Sequence, residues 1–145
     1  MKVKQLSIFV ENQPGRLAQL AKTLGDAGIN IMAMTIAETR EFGVVRMIVA
    51  DIDKAIAALK SGGVTVTTTD ILAIEVDDKP GALGKALDAF VKKDLNIEYM
   101  YAFVAKRGTG AILVFRFDDM DKAIAALKGS EVKVLTFEEV VALQK

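Results

Sequence analysis

Asn12-Gln13-Pro14-Gly15-Arg16-Leu17 and, 66 positions later, Asp78-Lys79-Pro80-Gly81-Ala82-Leu83 each set a Pro-Gly pair ahead of an apolar helical stripe. Proline suits the first position of a helix, because its missing N–H has no partner there. The glycine beside it lets another molecule approach the backbone. Behind it lie the unpaired N–H groups and the positive end of a helix dipole, a setting for a carboxylate or phosphate. Asn12 or Asp78 can accept a hydrogen bond from an ammonium. Together these features match the two charged ends of a free α-amino acid. A Pro-Gly pair also starts helices that bind nothing. Its presence at equivalent positions of a repeat favours a site.

The elements that must position these turns are themselves duplicated. Leu6 to Gly15 aligns with Leu72 to Gly81, and Ile29-Asn30-Ile31 with Leu95-Asn96-Ile97, both at an offset of 66. Asp51 to Lys60 matches Asp119 to Lys128 at nine of ten positions, but at an offset of 68. Two residues are therefore gained in between, and Ala105-Lys106-Arg107-Gly108-Thr109-Gly110 reads as the longer hairpin turn. Each copy reads β-α-β-β-α-β. Leu6, Ile8 and Val10 alternate as a half-buried strand, and Leu17, Leu20, Ala21 and Leu24 follow as a helical stripe ended by Gly25 and Gly28. Leu83, Ala86, Leu87, Phe90 and Val91 repeat that stripe. Residues 29–38 and 43–50 pair as strands, Asp51 opens a second helix, and residues 64–69 form a β-branched strand. Only Asp70 and Ile71 separate that strand from Leu72, so the two units are expected to touch. Thr136-Phe137-Glu138-Glu139 is a capping-box pattern before a short terminal helix. The order is that of two α+β, ferredoxin-like βαββαβ units, each an antiparallel sheet with helices on one face.

Composition excludes much. The chain holds no cysteine and no histidine, which removes disulfides, thiol nucleophiles, the usual zinc ligand sets and imidazole chemistry. Asp77-Asp78, Asp118-Asp119 and Glu138-Glu139 are neighbours in sequence, but successive strand residues point to opposite faces. With no nucleophile–base set and no metal-ligand spacing, neither an enzyme nor a metal site is expected. Gly108-Thr109-Gly110 lacks the context and third glycine of a dinucleotide fingerprint and reads as a turn, so no cofactor is expected. Nineteen basic residues balance nineteen acidic ones, which argues against nucleic acid. An RNA-binding or protein-interaction module on the same fold is the alternative. Tyr99 and Tyr101 could serve it, but Ala33 and Thr35 replace them in the first copy. Residues 1–5 run straight into a strand without a signal-peptide core, and no apolar stretch spans a bilayer. A cytoplasmic location with no membrane contact is expected.

The βαββαβ order, Pro-Gly-Arg-Leu or Pro-Gly-Ala-Leu after strand one, and Gly-Ile-Asn-Ile or Asp-Leu-Asn-Ile entering strand two resemble ACT domains. The resemblance implies one such domain over residues 1–70 and a second, with the terminal helix, over 71–145. It is strongest to stand-alone tandem-ACT amino-acid-binding proteins, whose second unit carries a segment like Ile97 to Phe103. It implies a non-catalytic regulatory sensor whose ligand lies between the strand-one/helix-one loop of one unit and strand two of a neighbour. The loops would be Asn12 to Leu17 and Asp78 to Leu83. Strand two would contribute Asn30, Met32, Asn96, Tyr99 and Tyr101. Asn12 and Arg16 become Asp78 and Ala82, so the two sites are not expected to be equivalent. The expected ligand is an apolar or aromatic amino acid, since no extra charged group stands out to select a polar one; the regulated enzyme is unknown.

Self-association is the last expectation. With Leu6, Ile8 and Val10 facing the helices, Phe9, Val44, Ile48, Ile112 and Val114 fall on the open face, and Met32, Met34 and Ile36 make strand two apolar as well. A patch of that extent usually marks an interface. A homodimer is expected, with one unit's open face folding against the other as the rival.

Overall fold

The computed structural model describes residues 1–105 and 110–145. Its elements run β1 (Val3–Glu11), α1 (Arg16–Asp26), β2 (Ile31–Glu38), β3 (Phe42–Val49), α2 (Ile52–Ser61), β4 (Val66–Asp77), α3 (Ala82–Lys92), β5 (Ile97–Val104), β6 (Gly110–Phe117), α4 (Met120–Leu127), β7 (Lys133–Leu135) and α5 (Phe137–Leu143). Two compact units result: an N-terminal unit of Lys4–Thr69, and a C-terminal unit of Asp70–Lys145 with Met1–Val3.

Each unit is ferredoxin-like. Strand order is β2-β3-β1-β4 in the first and β5-β6-β4-β7 in the second, all antiparallel where register is defined. Eight strands were expected from two copies, yet the described residues form seven. The β-branched run of the first copy continues through Asp70 into the second without a break, making the single twelve-residue β4. The offset of 66 holds through β5 and becomes 68 at β6, so the two extra residues fall between Val104 and Gly110. The turn expected at residues 106–109 lies outside the described residues.

The alternation read from the sequence places the cores. Leu6, Ile8, Val45, Met47 and Val49 pack with Leu20 and Leu24 of α1 and Ala55 and Leu59 of α2. Leu72, Ile74, Leu113, Phe115 and Phe117 pack with Ala86 and Phe90 of α3 and Ala123 and Leu127 of α4. The helical stripe is narrower than expected: α1 runs through Gly25, Leu17 and Leu83 are exposed at its first turn and that of α3, and Val91 is also exposed.

The opposite faces differ from the expectation of an open apolar patch. Ile48, Ile112 and Val114 are fully buried within the single chain, and Val44 is half-buried. The C-terminal unit continues beyond the expected strands into α5. It follows β7, whose Leu135 stands opposite Ala73, and ends where the Gln144 Nε2 donates to the Val104 carbonyl of β5 at 3.1 Å. Val140 of α5 is fully buried as well. Phe9 and Phe42 of the N-terminal unit remain more than half exposed. Among the described residues no helix is long and apolar enough to cross a membrane.

Candidate binding turns and clefts

Both Pro-Gly segments adopt one backbone. The Arg16 N–H donates to the Gln13 carbonyl at 3.3 Å, and the Ala82 N–H donates to the Lys79 carbonyl at 3.3 Å. Each closes a four-residue turn with proline second and glycine third. Gly15 (φ 85°, ψ −12°) and Gly81 (φ 88°, ψ −12°) have the third-position geometry of a type II turn, which favours glycine there. The prolines thus sit in the turn rather than at the first helical position, and the helices begin two residues later. A Cβ at either glycine would meet nothing within 4 Å, so φ rather than crowding within the chain selects the residue.

The helices that follow are unlike the others. The Asp51 side chain accepts from the Lys54 N–H of α2 at 3.1 Å, and Asp119 does the same for Lys122 of α4 at 2.9 Å. At α5, Thr136 and Glu139 form the expected capping box. At α1 and α3 no side chain caps the helix and no acidic residue stands in the first turn. The Leu17 and Ala18 N–H groups, and those of Leu83 and Gly84, have no acceptor among the described residues. These are the donors an external carboxylate needs.

The remaining predicted residues divide into two places. The Asn12 side-chain amide donates to the Thr39 and Arg40 carbonyls at 3.2 and 3.4 Å, tying the turn to the β2–β3 hairpin. Asp78 is exposed at the equivalent point. Asn30 and Asn96 precede β2 and β5, at the opposite end of each sheet, because Val10 and Glu38 both stand opposite Gly43 while Ile31 stands opposite Val49. An eight-residue strand separates the ends by roughly 26 Å. Met32 lies half-buried at an irregularity of β2. Tyr99 and Tyr101 stand opposite Arg116 and Val114, on the face away from α3 and α4. No single unit brings these strand-two residues to its own turn.

What each turn does adjoin is a cleft that the sequence reading missed. In the N-terminal unit a cleft of about 260 Å³ lies between Phe9–Glu11, the first turns of α1 and residues 62–65. In the C-terminal unit a cleft of about 330 Å³ lies between Glu75–Asp77, the turn, the first turns of α3 and residues 131–133. Ten lining positions correspond at offsets of 66 and 68, while Gly62 lines only the first cleft and Lys79, Pro80 and Gly81 only the second. The chemistry of the two linings does not correspond. Arg16 bridges to Glu11 at 3.3 Å in the first, whereas Ala82 stands at the Arg16 position in the second. There Lys79 pairs with Asp77 at 2.6 Å and Lys133 pairs with Glu75. The Lys79 hydrogen bond, then its charge, holds the Asp77 carboxyl below its usual range, with Lys85 adding a weaker pull. The Glu75 partner raises the Lys133 ammonium. The clefts join segments some fifty residues apart, so no local motif announces them.

A family model described as an ACT domain pair matches residues 1–143. The chain is 41% identical to a protein of Bacteroides thetaiotaomicron with a solved crystal structure, over 97% of this chain and 96% of that one, with a TM-score of 0.89. The regulatory subunit of aspartate kinase from Thermus thermophilus, in its ligand-free form, shares the fold at 16% identity, covering 88% and 91% of the two chains with a TM-score of 0.60. That of Thermus flavus does so at 17% identity, covering 98% and 92%, also with a TM-score of 0.60. None of the functionally curated proteins compared is similar in sequence.

Proposed function

The chain belongs to the ACT domain pair family, and we propose that it is a non-catalytic sensor whose Pro-Gly turns receive a free amino acid. Residues 1–70 and 71–145 are its two ACT domains in this reading. The observation that carries it is the selective absence of caps: α2, α4 and α5 supply their own oxygen acceptors, while α1 and α3, behind the Pro-Gly turns, leave theirs to another molecule. The Asn12 carbonyl oxygen and the Asp78 carboxylate are the acceptors for the ammonium, and strand two of a neighbouring unit completes the pocket with Asn30, Met32, Asn96, Tyr99 or Tyr101. The ligand is an apolar or aromatic amino acid, and the regulated partner is an enzyme reached by contact in the cytoplasm. The protein works as a homodimer, for which Phe9 and Phe42 offer exposed apolar surface.

A thermal-shift screen of the twenty amino acids tests the reading, because a ligand that binds only the folded chain raises its melting temperature. One or a few apolar or aromatic amino acids should raise it in a concentration-dependent way. A flat response to all twenty overturns the sensor. Sedimentation of the same samples should give twice the 15.6 kDa chain mass; a monomer at micromolar concentration overturns the dimer.

A further inference from the structure

The boundary between the two units does not fall in a linker. The chain crosses it twice, between Val3 and Lys4 and between Thr69 and Asp70. Both crossings lie inside strands, β1 (Val3–Glu11) and β4 (Val66–Asp77). Domain boundaries usually occupy exposed segments rich in glycine, proline or polar residues, where a hinge can form. Here residues 66–72 hold neither glycine nor proline, and Val3 and Ile71 beside the crossings are fully buried. We propose that β4 couples the two units, so that they unfold as one and a change of stability in either is transmitted to the other. This coupling holds whether or not the turns bind an amino acid, and it goes beyond that reading by making both turns parts of one cooperative fold.

Each half of β4 is held on its own side of the crossing. Before it, the Ser7 and Thr69 hydroxyls share a hydrogen bond at 3.1 Å, and the Thr67 hydroxyl donates to the Ser7 carbonyl at 3.4 Å. After it, Leu72 to Asp77 pair with Phe115 to Gly110 of β6, and Ala73 to Glu75 with Leu135 to Lys133 of β7. The crossing itself is clasped from the C-terminal side. The Arg116 Nη1 donates to the Asp70 carbonyl at 2.9 Å. The Lys2 ammonium lies 3.0 Å from the Asp121 carboxylate of α4 and 3.8 Å from that of Asp70. Lys2 immediately precedes β1, so these ion pairs also anchor the start of that strand to the C-terminal unit. Val66 packs on the N-terminal core, while Leu72 and Ile74 belong to the C-terminal one, all at even positions of a single strand. A slip of one residue would turn all three to the wrong face. Neither unit can therefore rearrange its share of β4 alone.

Urea unfolding of the full chain, followed by two probes, tests the coupling. Tyr99 and Tyr101 are the only tyrosines and the sequence has no tryptophan, so fluorescence reports the C-terminal unit, while far-ultraviolet circular dichroism reports both units. In the parent the two midpoints should coincide, the mark of a single cooperative step. Leu24→Ala truncates a side chain of the N-terminal core. It should lower both midpoints by the same amount. A tyrosine midpoint that stays at the parent value while the dichroism splits into two steps overturns the proposal. Should Leu24→Ala not fold, Ile8→Val removes less from the same core and gives the same comparison. Inserting Gly-Ser-Gly-Ser between Thr69 and Asp70 places a flexible segment at the crossing and should separate the two midpoints. Midpoints that still coincide after the insertion overturn the coupling role of β4.

Discussion

The two Pro-Gly turns share a backbone to within a few degrees and differ in the polar and charged side chains around it. Gly15 and Gly81 have φ of 85° and 88°, and the same hydrogen bonds close both turns. The cation that neutralises the strand-end carboxylate has moved. In the N-terminal unit it is Arg16, on the helix, bonded to Glu11. In the C-terminal unit it is Lys79, in the turn at the Gln13 position, bonded to Asp77. That exchange keeps the local charge balanced and clears the face of α3 at Ala82. Duplication preserved what the fold requires, the type II turn and uncapped helix, while the cleft walls diverged. The cores follow the same rule. Leu24, Met47 and Val49 of one half correspond to Phe90, Phe115 and Phe117 of the other, where Phe90 meets the two other rings edge-on at 4.9 and 5.1 Å.

The largest effect should come from those cores. Phe90→Ala is expected to cost about 3–5 kcal/mol and Leu24→Ala about 2–5 kcal/mol. The two edge-on contacts should place Phe90→Ala higher by about 1 kcal/mol or more. Urea unfolding of both variants measures the difference. Equal losses would mean that the aromatic trio fills space without adding ring-specific stabilisation.

The turns should respond alike. Valine at Gly15 or Gly81 must take a positive φ that a β-branched residue rarely adopts, at about 1–3 kcal/mol. Neither position is crowded, so strain alone sets the cost. Gly15→Val and Gly81→Val should therefore lower the urea midpoint by similar amounts. A loss confined to one of them would break the equivalence of the turns.

Much of this was legible before the fold. The repeat, the Asp51 cap, the capping box at Thr136 and the helix-facing alternation of Leu6, Ile8 and Val10 are local patterns, and local patterns survive in sequence. What escaped depends on neighbours far along the chain. Pro-Gly is compatible with a helix start and with a type II turn, and only the closing bond from Arg16 distinguishes them. Asp70 looked like a break because an acid between two strands usually is one. Ile112 and Val114 looked open because what covers a sheet face lies far along the chain and cannot be read from the strand itself. Lys85 and Glu131 are unremarkable surface charges until residues 131–133 fold beside α3. One sequence trace of their cleft is a contrast between the copies: charge at two positions where the first copy has Gln19 and Gly63.

The smallest expected effect tests the relocated cation itself. The hydrogen bond from Lys79, then its charge, lowers the Asp77 pKa in the folded chain, and Lys85 contributes less. A carboxyl whose folded pKa is depressed stabilises the fold above its unfolded value, and that contribution disappears as pH falls through the folded value. Asp77 should thus take up its proton at a lower pH than an ordinary aspartate does. Lys79→Gln removes both leading causes and leaves only Lys85, so the Asp77 titration should move up toward its ordinary value. Because the pair is exposed, the change in overall stability should be slight. A carbon-13 NMR titration of the side-chain carboxyl reads the shift directly. If Asp77 titrates identically in the parent and in Lys79→Gln, the turn lysine does not hold it. Lys79 would then be free to face the cleft, a charge in the mouth that the N-terminal turn, with Gln13, does not have.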